Sequence, residues 1–390
     1  MKSPEVRLAR RGVERWKAAH PWIYRSDLAR EPKQLAGGEV VRVADERGHF
    51  LGQAFYSSKS KIALRWLAWN DTTVDAPFFA QRLALADSLR RNVFPGEDTY
   101  RVVHGESDLL PGLIVDRYGD YLCVQFLIQG AEARKTEWLE TLWRHFSPKG
   151  IVNRSDGQVR LLEGLPQEKG VLRGEVPPLV PFREGDVESV ADLLAGQKTG
   201  AFLDQRENHV LSKAYAQGDA LDCFSYHGGF ALQLAQRART VTAVEISAAA
   251  CATLRERSTR AGISNVEVVE ANAFDFLRDA VDEGKQYDTI VLDPPSFAKN
   301  RGAIDGAVRG YKELNLRALM LLRPGGHLIT ASCTYHVDEQ RFEALLESAA
   351  ADAKKRVQII ERRGASRDHP VLLQLRETRY LKCFVLRVVA

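Results

Sequence analysis

Five polar side chains stand at the ends of apolar runs in the second half of the 390-residue chain, each where a strand would give way to a loop. They are Asp222 in "LDCFSYHGGFAL", Glu245 in "TVTAVEI", Asn272 in "EANAFDFL", Asp293 in "VLDPPSF" and Cys333 in "HLITASCTYH". Glu245 follows Asp222 by 23 residues, the interval at which an acidic residue ending a second strand accepts hydrogen bonds from both hydroxyls of a ribose. The pair Gly228-Gly229, with Phe224 and Ser225 before it, makes a close strand-to-helix turn. It lacks the fuller G-x-G-x-x-G that seats a pyrophosphate on a helix N-terminus, so the nucleoside it suits carries no phosphate there.

S-adenosylmethionine meets those limits. Asp222 would face its amino group, Gly228 and Gly229 would pass beneath its methionine portion, Glu245 would hold its ribose, and Asn272 with Ala273 would lie beside its adenine. Taken alone, one acidic residue and a glycine pair also suit a purely structural turn. Asp-Pro-Pro followed by Phe297 makes a rigid wall, with Asp293 available to hydrogen-bond a flat heterocycle; the plainer reading of Pro294-Pro295 is a strand stop. Cys333 follows the fifth strand, on the side where α/β sheets bind ligands. A free cysteine is most often a small buried hydrophobe, but a thiol placed there could also act as a nucleophile.

The elements that must hold these residues follow from the alternation of short apolar strands and helices beyond residue 186, the pattern of a doubly wound α/β sheet. "DALDCFS", "TVTAVEI", "NVEVVEAN", "YDTIVLDPP" and "HLITASC" read as its strands, and "LNLRALMLLRPGG" as the helix entering the last. Residues 1–70 alternate instead as a small β module, through "GEVVRVAD", "HFLGQAFYS" and "KIALRWLAW". Residues 71–185 read as an α+β region: a helix in "APFFAQRLALADSLRRNVF", two strands about a Gly-Asp turn in "LPGLIVDRYGDYLCVQFLI", a helix in "ARKTEWLETLWRHFS" and a strand in "GIVNRSD". "RGEVPPLVPFREGD" reads as the boundary before residues 186–390.

Together, "GQKTGAFLDQREN", "LDCFSYHGGFAL", "VLDPPSFAKN", "GYKELN" and "SCTYH" resemble the class I methyltransferases that modify cytosine at C5 in bacterial large-subunit (23S) ribosomal RNA. The likeness spans essentially the whole chain. It implies an N-terminal PUA barrel, a central α+β domain and a C-terminal Rossmann-like methyltransferase domain. It also implies that Lys198, Thr199, Gly200, Phe202, Asp204, Gln205 and Arg206 border the cofactor, and that "RDHPV" at 367–371 approaches the active site. Two departures stand out. Asn272 occupies a position that is commonly acidic, and Ser296 stands in "DPPSF" where two-cysteine enzymes carry their second thiol.

C5 of cytosine is a poor nucleophile. A thiolate added at C6 makes it electron-rich, which assigns Cys333 as the nucleophile and Asp293 as the partner of the cytosine edge. The other cysteines, Cys123, Cys223, Cys251 and Cys383, sit in apolar patterns and read as packing residues, and no Cys/His spacing suits a metal. His209, His227, His336 and His369 read as loop hydrogen-bonding groups, and no base for the C5 proton is assigned.

Residues 1–70 hold 14 Lys and Arg against 7 Asp and Glu in a chain whose net charge is +4. That concentration points to a polyanion, with Arg7, Arg10, Arg11, Arg15, Lys17 and Trp22 as candidate RNA contacts; the bland readings are a solvated basic face and a core tryptophan. With 45% hydrophobic and 27% charged residues, and neither a long apolar run nor a leader-like start, the chain reads as cytoplasmic. Transfer to another atom, such as a guanine nitrogen, and a non-catalytic RNA-binding or ribosome-assembly role stay open. So do the nucleotide, naked RNA against the assembling large subunit as substrate, and monomer against homodimer.

Overall fold

The computed structural model describes residues 4–297 and 301–390, so the end of "LDPPSFAKN" lies outside the described residues. The chain forms two compact units, one from residues 1–182, 190–203 and 367–378, the other from residues 183–189, 204–366 and 379–390.

The first unit opens with strands β1 (Glu5–Arg7), β2 (Trp22–Tyr24), β3 (Val40–Ala44), β4 (Phe50–Tyr56) and β5 (Ile62–Ala68), in sheet order β1-β3-β4-β5-β2, with helix α1 (Arg10–Lys17) between the first two. Val6, Leu8, Ile23, Val41, Leu64 and Trp66 fill its interior. A second sheet, β10-β9-β8-β7-β6, is built from β6 (Thr99–His104), β7 (Leu113–Tyr118), β8 (Tyr121–Phe126), β9 (Gly150–Ser155) and β10 (Glu168–Gly174). Helices α2 (Ala76–Val93), α3 (Gln129–Ala133), α4 (Lys135–Phe146) and α5 (Val159–Leu162) belong to the same region. Asp75 caps α2 by accepting from the Phe78 N–H, with proline in the first turn, the arrangement that satisfies a helix start. The expected Gly-Asp turn joins β7 to β8, with Gly119 at φ +58°. Phe55 and Leu67 of the first sheet share a core with Phe79, Tyr100 and Leu142, so the β module and the α+β region pack as one body.

The stretch read as a boundary is more structured than its prolines suggest. It carries β11 (Val180–Glu184), which pairs with β12 (Val187–Ala191), and the division between the units falls inside this hairpin.

The second unit is a seven-stranded sheet. Its strands are β13 (Asp219–Cys223), β14 (Thr240–Glu245), β15 (Val266–Glu270), β16 (Tyr287–Leu292), β17 (Leu322–Ser332), β18 (Val357–Arg363) and β19 (Lys382–Val388), in the order β15-β14-β13-β16-β17-β19-β18. The first five are parallel, and β19 runs antiparallel between β17 and β18. Helices α6 (Arg206–Tyr215), α7 (Gly229–Leu234), α8 (Ala248–Arg260), α9 (Ala273–Asp282), α10 (Ile304–Leu321) and α11 (Glu339–Asp352) complete it. Because side chains alternate along a strand, Leu221, Cys223, Ile290, Leu292, Leu328 and Phe384 pack with α9, α10 and α11 on one face. Ala220, Val291, Ile329, Ala331, Cys383 and Val385 pack with α7 on the other. Covering both faces is what a parallel sheet requires, and a Leu→Ala change in either layer costs about 2–5 kcal/mol.

The helix expected to run through "LRPGG" instead ends at Leu321. Leu322 begins β17 opposite Tyr287, the ladder shifts register across Arg323–Gly326, with Gly325 at φ +83°, and pairing resumes at His327 opposite Thr289. The sheet reverses its winding at β13, which lies between β14 and β16, and the loops at these carboxyl ends form the crevice where such sheets bind ligands.

Candidate active site at the strand ends of the second unit

After β13 the chain turns sharply. Phe224, Tyr226 and Gly228 all have positive φ, at 66°, 47° and 83°. Non-glycine residues hold that conformation only where surrounding contacts impose it. Here the Phe224 and Ser225 N–H groups both donate to the Val244 carbonyl, and the Ser225 hydroxyl donates to the Asp222 carbonyl. Gly228 suits its left-handed backbone, and a Cβ there would also lie 2.1 Å from Leu254 Cδ1; at Gly229 a Cβ would lie 2.4 Å from the His209 ring. That ring packs edge-on against Phe230 and shares a 2.9 Å hydrogen bond with the buried Glu184.

Asp222 is buried. One carboxylate oxygen accepts from the Ala231 N–H at 3.0 Å, while Oδ1 has no partner among the described residues. Burial pushes its pKa up to about 7, with Asp293 adding to the rise and His209 opposing it. A buried carboxylate with one unmatched oxygen is the acceptor an ammonium group satisfies, so this position fits the amino group of S-adenosylmethionine. Glu245 is half-buried and fixed by two backbone donors, Tyr226 N–H at 2.9 Å and Ser247 N–H at 2.8 Å. Asn272 caps α9 through its oxygen, which accepts from the Phe274 N–H at 2.9 Å, and Ala273 is buried behind it. Phe224, Phe274, Phe297 and Tyr311 form a row of ring contacts from this turn to α10, with centroids 6.4, 5.9 and 4.7 Å apart.

On the other side of the reversal, Gln205 donates to Asp293 Oδ1 at 2.9 Å and accepts from Asn208 at 2.6 Å. Asp204 accepts from the Tyr380 hydroxyl at 2.7 Å, and Arg206 is buried. The Thr334 hydroxyl bonds those of Ser296 and Tyr311 at 3.1 and 2.8 Å, so "DPPSF", "GYKELN" and "SCTYH" converge on one cluster. Cys333 stands beside it, half-buried, whereas Cys123, Cys223, Cys251 and Cys383 are fully buried. The second unit thus holds Asp204, Gln205, Arg206, Asp222, Phe224, Ser225, Gly228, Gly229, Glu245, Asn272, Ala273, Asp293 and Cys333 on its loops, strand ends and helix starts.

Lys198, Thr199, Gly200 and Phe202 belong to the first unit. There the Lys198 ammonium lies 4.2 Å from the Phe202 ring centroid, and the Thr199 hydroxyl donates to Asp116, which also pairs with Arg101. The "RDHPV" turn is in that unit too, where Asp368 accepts from the Arg101 N–H and the His369 ring packs tilted against His104.

Of the basic candidates on α1 and nearby, Arg10 and Arg11 are exposed, as is Lys17, and Arg7 pairs with Glu5 at the surface. Arg15 is held instead against the fully buried Asp27 at 2.7 Å and over the Tyr24 ring. The Trp22 indole donates to Glu106. Sequence reasoning missed the Glu184–His209 pair, the Thr334 hydroxyl cluster and Lys382. The last had one visible signal, a lysine just before the apolar run "CFVL".

Comparison with known proteins agrees with the architecture. Residues 6–69 match the family model of a PUA-like domain, and residues 207–327 match the model described as "Conserved hypothetical protein 95". A protein put forward as a SAM-dependent methyltransferase from Streptococcus mutans superposes with a TM-score of 0.83 at 20% identity, over 99% of this chain and 100% of that one. A second solved protein, put forward as a methyltransferase and complexed with SAH, gives 0.84 at 21% over the full length of both. The fold is therefore that of a PUA-like domain followed by a Rossmann-like S-adenosylmethionine-dependent methyltransferase. Ribosomal RNA large subunit methyltransferase I of Erwinia tasmaniensis is 39% identical over 378 residues, 95% of this chain and 96% of that protein. The chain belongs to the ribosomal RNA large subunit methyltransferase I family. Among the described residues, no helix is long and apolar enough to cross a membrane.

Proposed function

We propose that this protein forms 5-methylcytosine in 23S ribosomal RNA, with Cys333 as the nucleophile. The observation that carries the reading is a half-exposed thiol at the end of β17, next to the strand whose end bears Asp293, in a unit whose Asp222 keeps an unmatched buried oxygen. Bound S-adenosylmethionine supplies an electrophilic methyl group. Asp222 would hold its ammonium, Glu245 its ribose and the Asn272–Ala273 turn its adenine edge, while Asp204, Gln205 and Arg206 would border it.

Cys333 Sγ adds to C6 of a cytosine displaced from its stack, which makes C5 electron-rich. Asp293, oriented by Gln205, hydrogen-bonds the cytosine edge at N3 or the exocyclic amine. Once C5 carries the methyl group, loss of the C5 proton restores the double bond and expels the thiolate. We assign residues 1–70 to RNA binding, 71–185 to the central domain and 186–390 to methyl transfer. Arg7, Arg10, Arg11, Lys17 and Trp22 supply the RNA contacts, and Arg15 supports that face from its pair with Asp27.

Bisulfite sequencing of 23S rRNA from a strain lacking the gene tests this directly. One protected cytosine is expected to become convertible, and to be protected again by the wild-type gene but not by Cys333→Ala. A deletion strain that loses no methylcytosine would refute the assignment.

A further inference from the structure

Lys382 opens β19 opposite Ser332 of β17 and is only 3% exposed. Its ammonium donates to the Thr334 carbonyl at 2.7 Å and to the Tyr380 carbonyl at 2.9 Å. The first of these acceptors belongs to the residue after Cys333. Two neutral carbonyls are poor compensation for a buried charge. Burial accordingly lowers the lysine to about 8, and the groups that oppose the drop are the Cys333 sulfur first, then Asp338 and Glu339.

Among the described residues, other charged and titratable groups also lie around this corner. Arg363 of β18, opposite Cys383, is bonded to Asn208 and paired with Glu361; Asp293 acts on Cys383; and the Tyr311 hydroxyl, held by Thr334, feels Cys333. The ammonium is thus built into the base of the turn that carries Cys333, where it favours a negative charge on that sulfur.

We propose that Lys382 is a positioning residue that fixes the Cys333–Thr334 turn and supplies the positive field that ionises the Cys333 thiol. The S–H bond breaks, the proton leaves to solvent, and the thiolate remains beside the ammonium, ready to add to C6. This rests on the reading of Cys333 as nucleophile given above.

The test is the pH profile of iodoacetamide alkylation of the full-length protein, followed at the Cys333 peptide by mass spectrometry, with the four buried cysteines as internal controls. The wild-type midpoint is expected below the roughly 8.5 of an ordinary thiol. Lys382→Met is expected to raise it by about one unit, slowing labelling near pH 7 roughly tenfold, while Lys382→Arg keeps it low. A wild-type midpoint at or above the ordinary value, or a Lys382→Met profile matching wild type, would overturn the proposal. If Lys382→Met does not fold, the wild-type and Lys382→Arg profiles decide. A Cys333-dependent methylcytosine with a thiol indifferent to Lys382 would sink this inference alone; a low-pKa thiol with no methylcytosine lost on deletion would sink the reading beneath it.

Discussion

At the ends of β13 and β14 the backbone builds the polar site, whereas at the ends of β16, β17 and β19 side chains build it. On the first side, Glu245 is oriented by two N–H groups, Asp222 by a third, and the turn is shaped by three positive φ angles. On the second, Asp293 is oriented by an amide, Thr334 by two hydroxyls, and the Cys333 turn by an ammonium. Backbone donors suit a cofactor that is the same in every turnover, because they are rigid and independent of side-chain rotamers. Side-chain donors can carry and exchange charge, which the step at C6 demands.

The largest expected break in this contrast is Asp222→Asn. The variant keeps the shape and the bond from Ala231 but replaces a carboxylate facing an ammonium, so S-adenosylmethionine affinity should fall by roughly 10–100-fold in calorimetry. The pH dependence has a definite sign. The folded state holds the Asp222 proton up to about 7 while the unfolded chain releases it near 3.8, so this group's contribution to stability is present below that lower value and is lost as pH rises toward 7. Between pH 5 and 8 the wild-type Tm should therefore drop more than that of Asp222→Asn. Wild-type affinity for the cofactor should rise as pH passes through about 7. A variant that binds as tightly as wild type would remove Asp222 from the cofactor site.

A smaller effect sharpens the other side. Thr334→Val removes one hydroxyl partner each from the buried Tyr311 and from Ser296 and should cost about 1–3 kcal/mol in denaturant unfolding, with cofactor affinity unchanged. Loss of cofactor binding in that variant would mean that the two sides are not separable.

The same contrast explains how much could be read from sequence. Asp222, Glu245 and the glycine pair were legible because a backbone-built turn needs glycine at fixed places and carboxylates at strand-length intervals. The central parallel strands were legible because each is a short apolar run covered on both faces, whereas the edge strand β15 alternates valine with glutamate. The hydroxyl cluster was not, since Ser296, Tyr311 and Thr334 come from three elements and meet only in the fold. Lys382 is set by the insertion of β19 between β17 and β18, a pairing that no local pattern announces. The Pro-Gly-Gly of β17 reads as the end of the preceding helix, because nothing local announces that the strand has already begun at Leu322 and that its ladder shifts register there before pairing resumes. On α1, net charge could not reveal that Arg11 and Arg15 both pair with the buried Asp27, Arg15 half-buried and Arg11 exposed, while Arg10 pairs with Glu14 at the surface.

The central claim is the covalent bond between Cys333 and C6. Fluorine at C5 cannot leave as the proton does, so 23S rRNA carrying 5-fluorocytidine should trap the wild-type protein, with S-adenosylmethionine, as a denaturation-resistant complex whose cross-link maps to Cys333. Cys333→Ala should form none. An adduct that persists in Cys333→Ala, or a wild-type enzyme that methylates cytosine without ever being trapped, would contradict the mechanism.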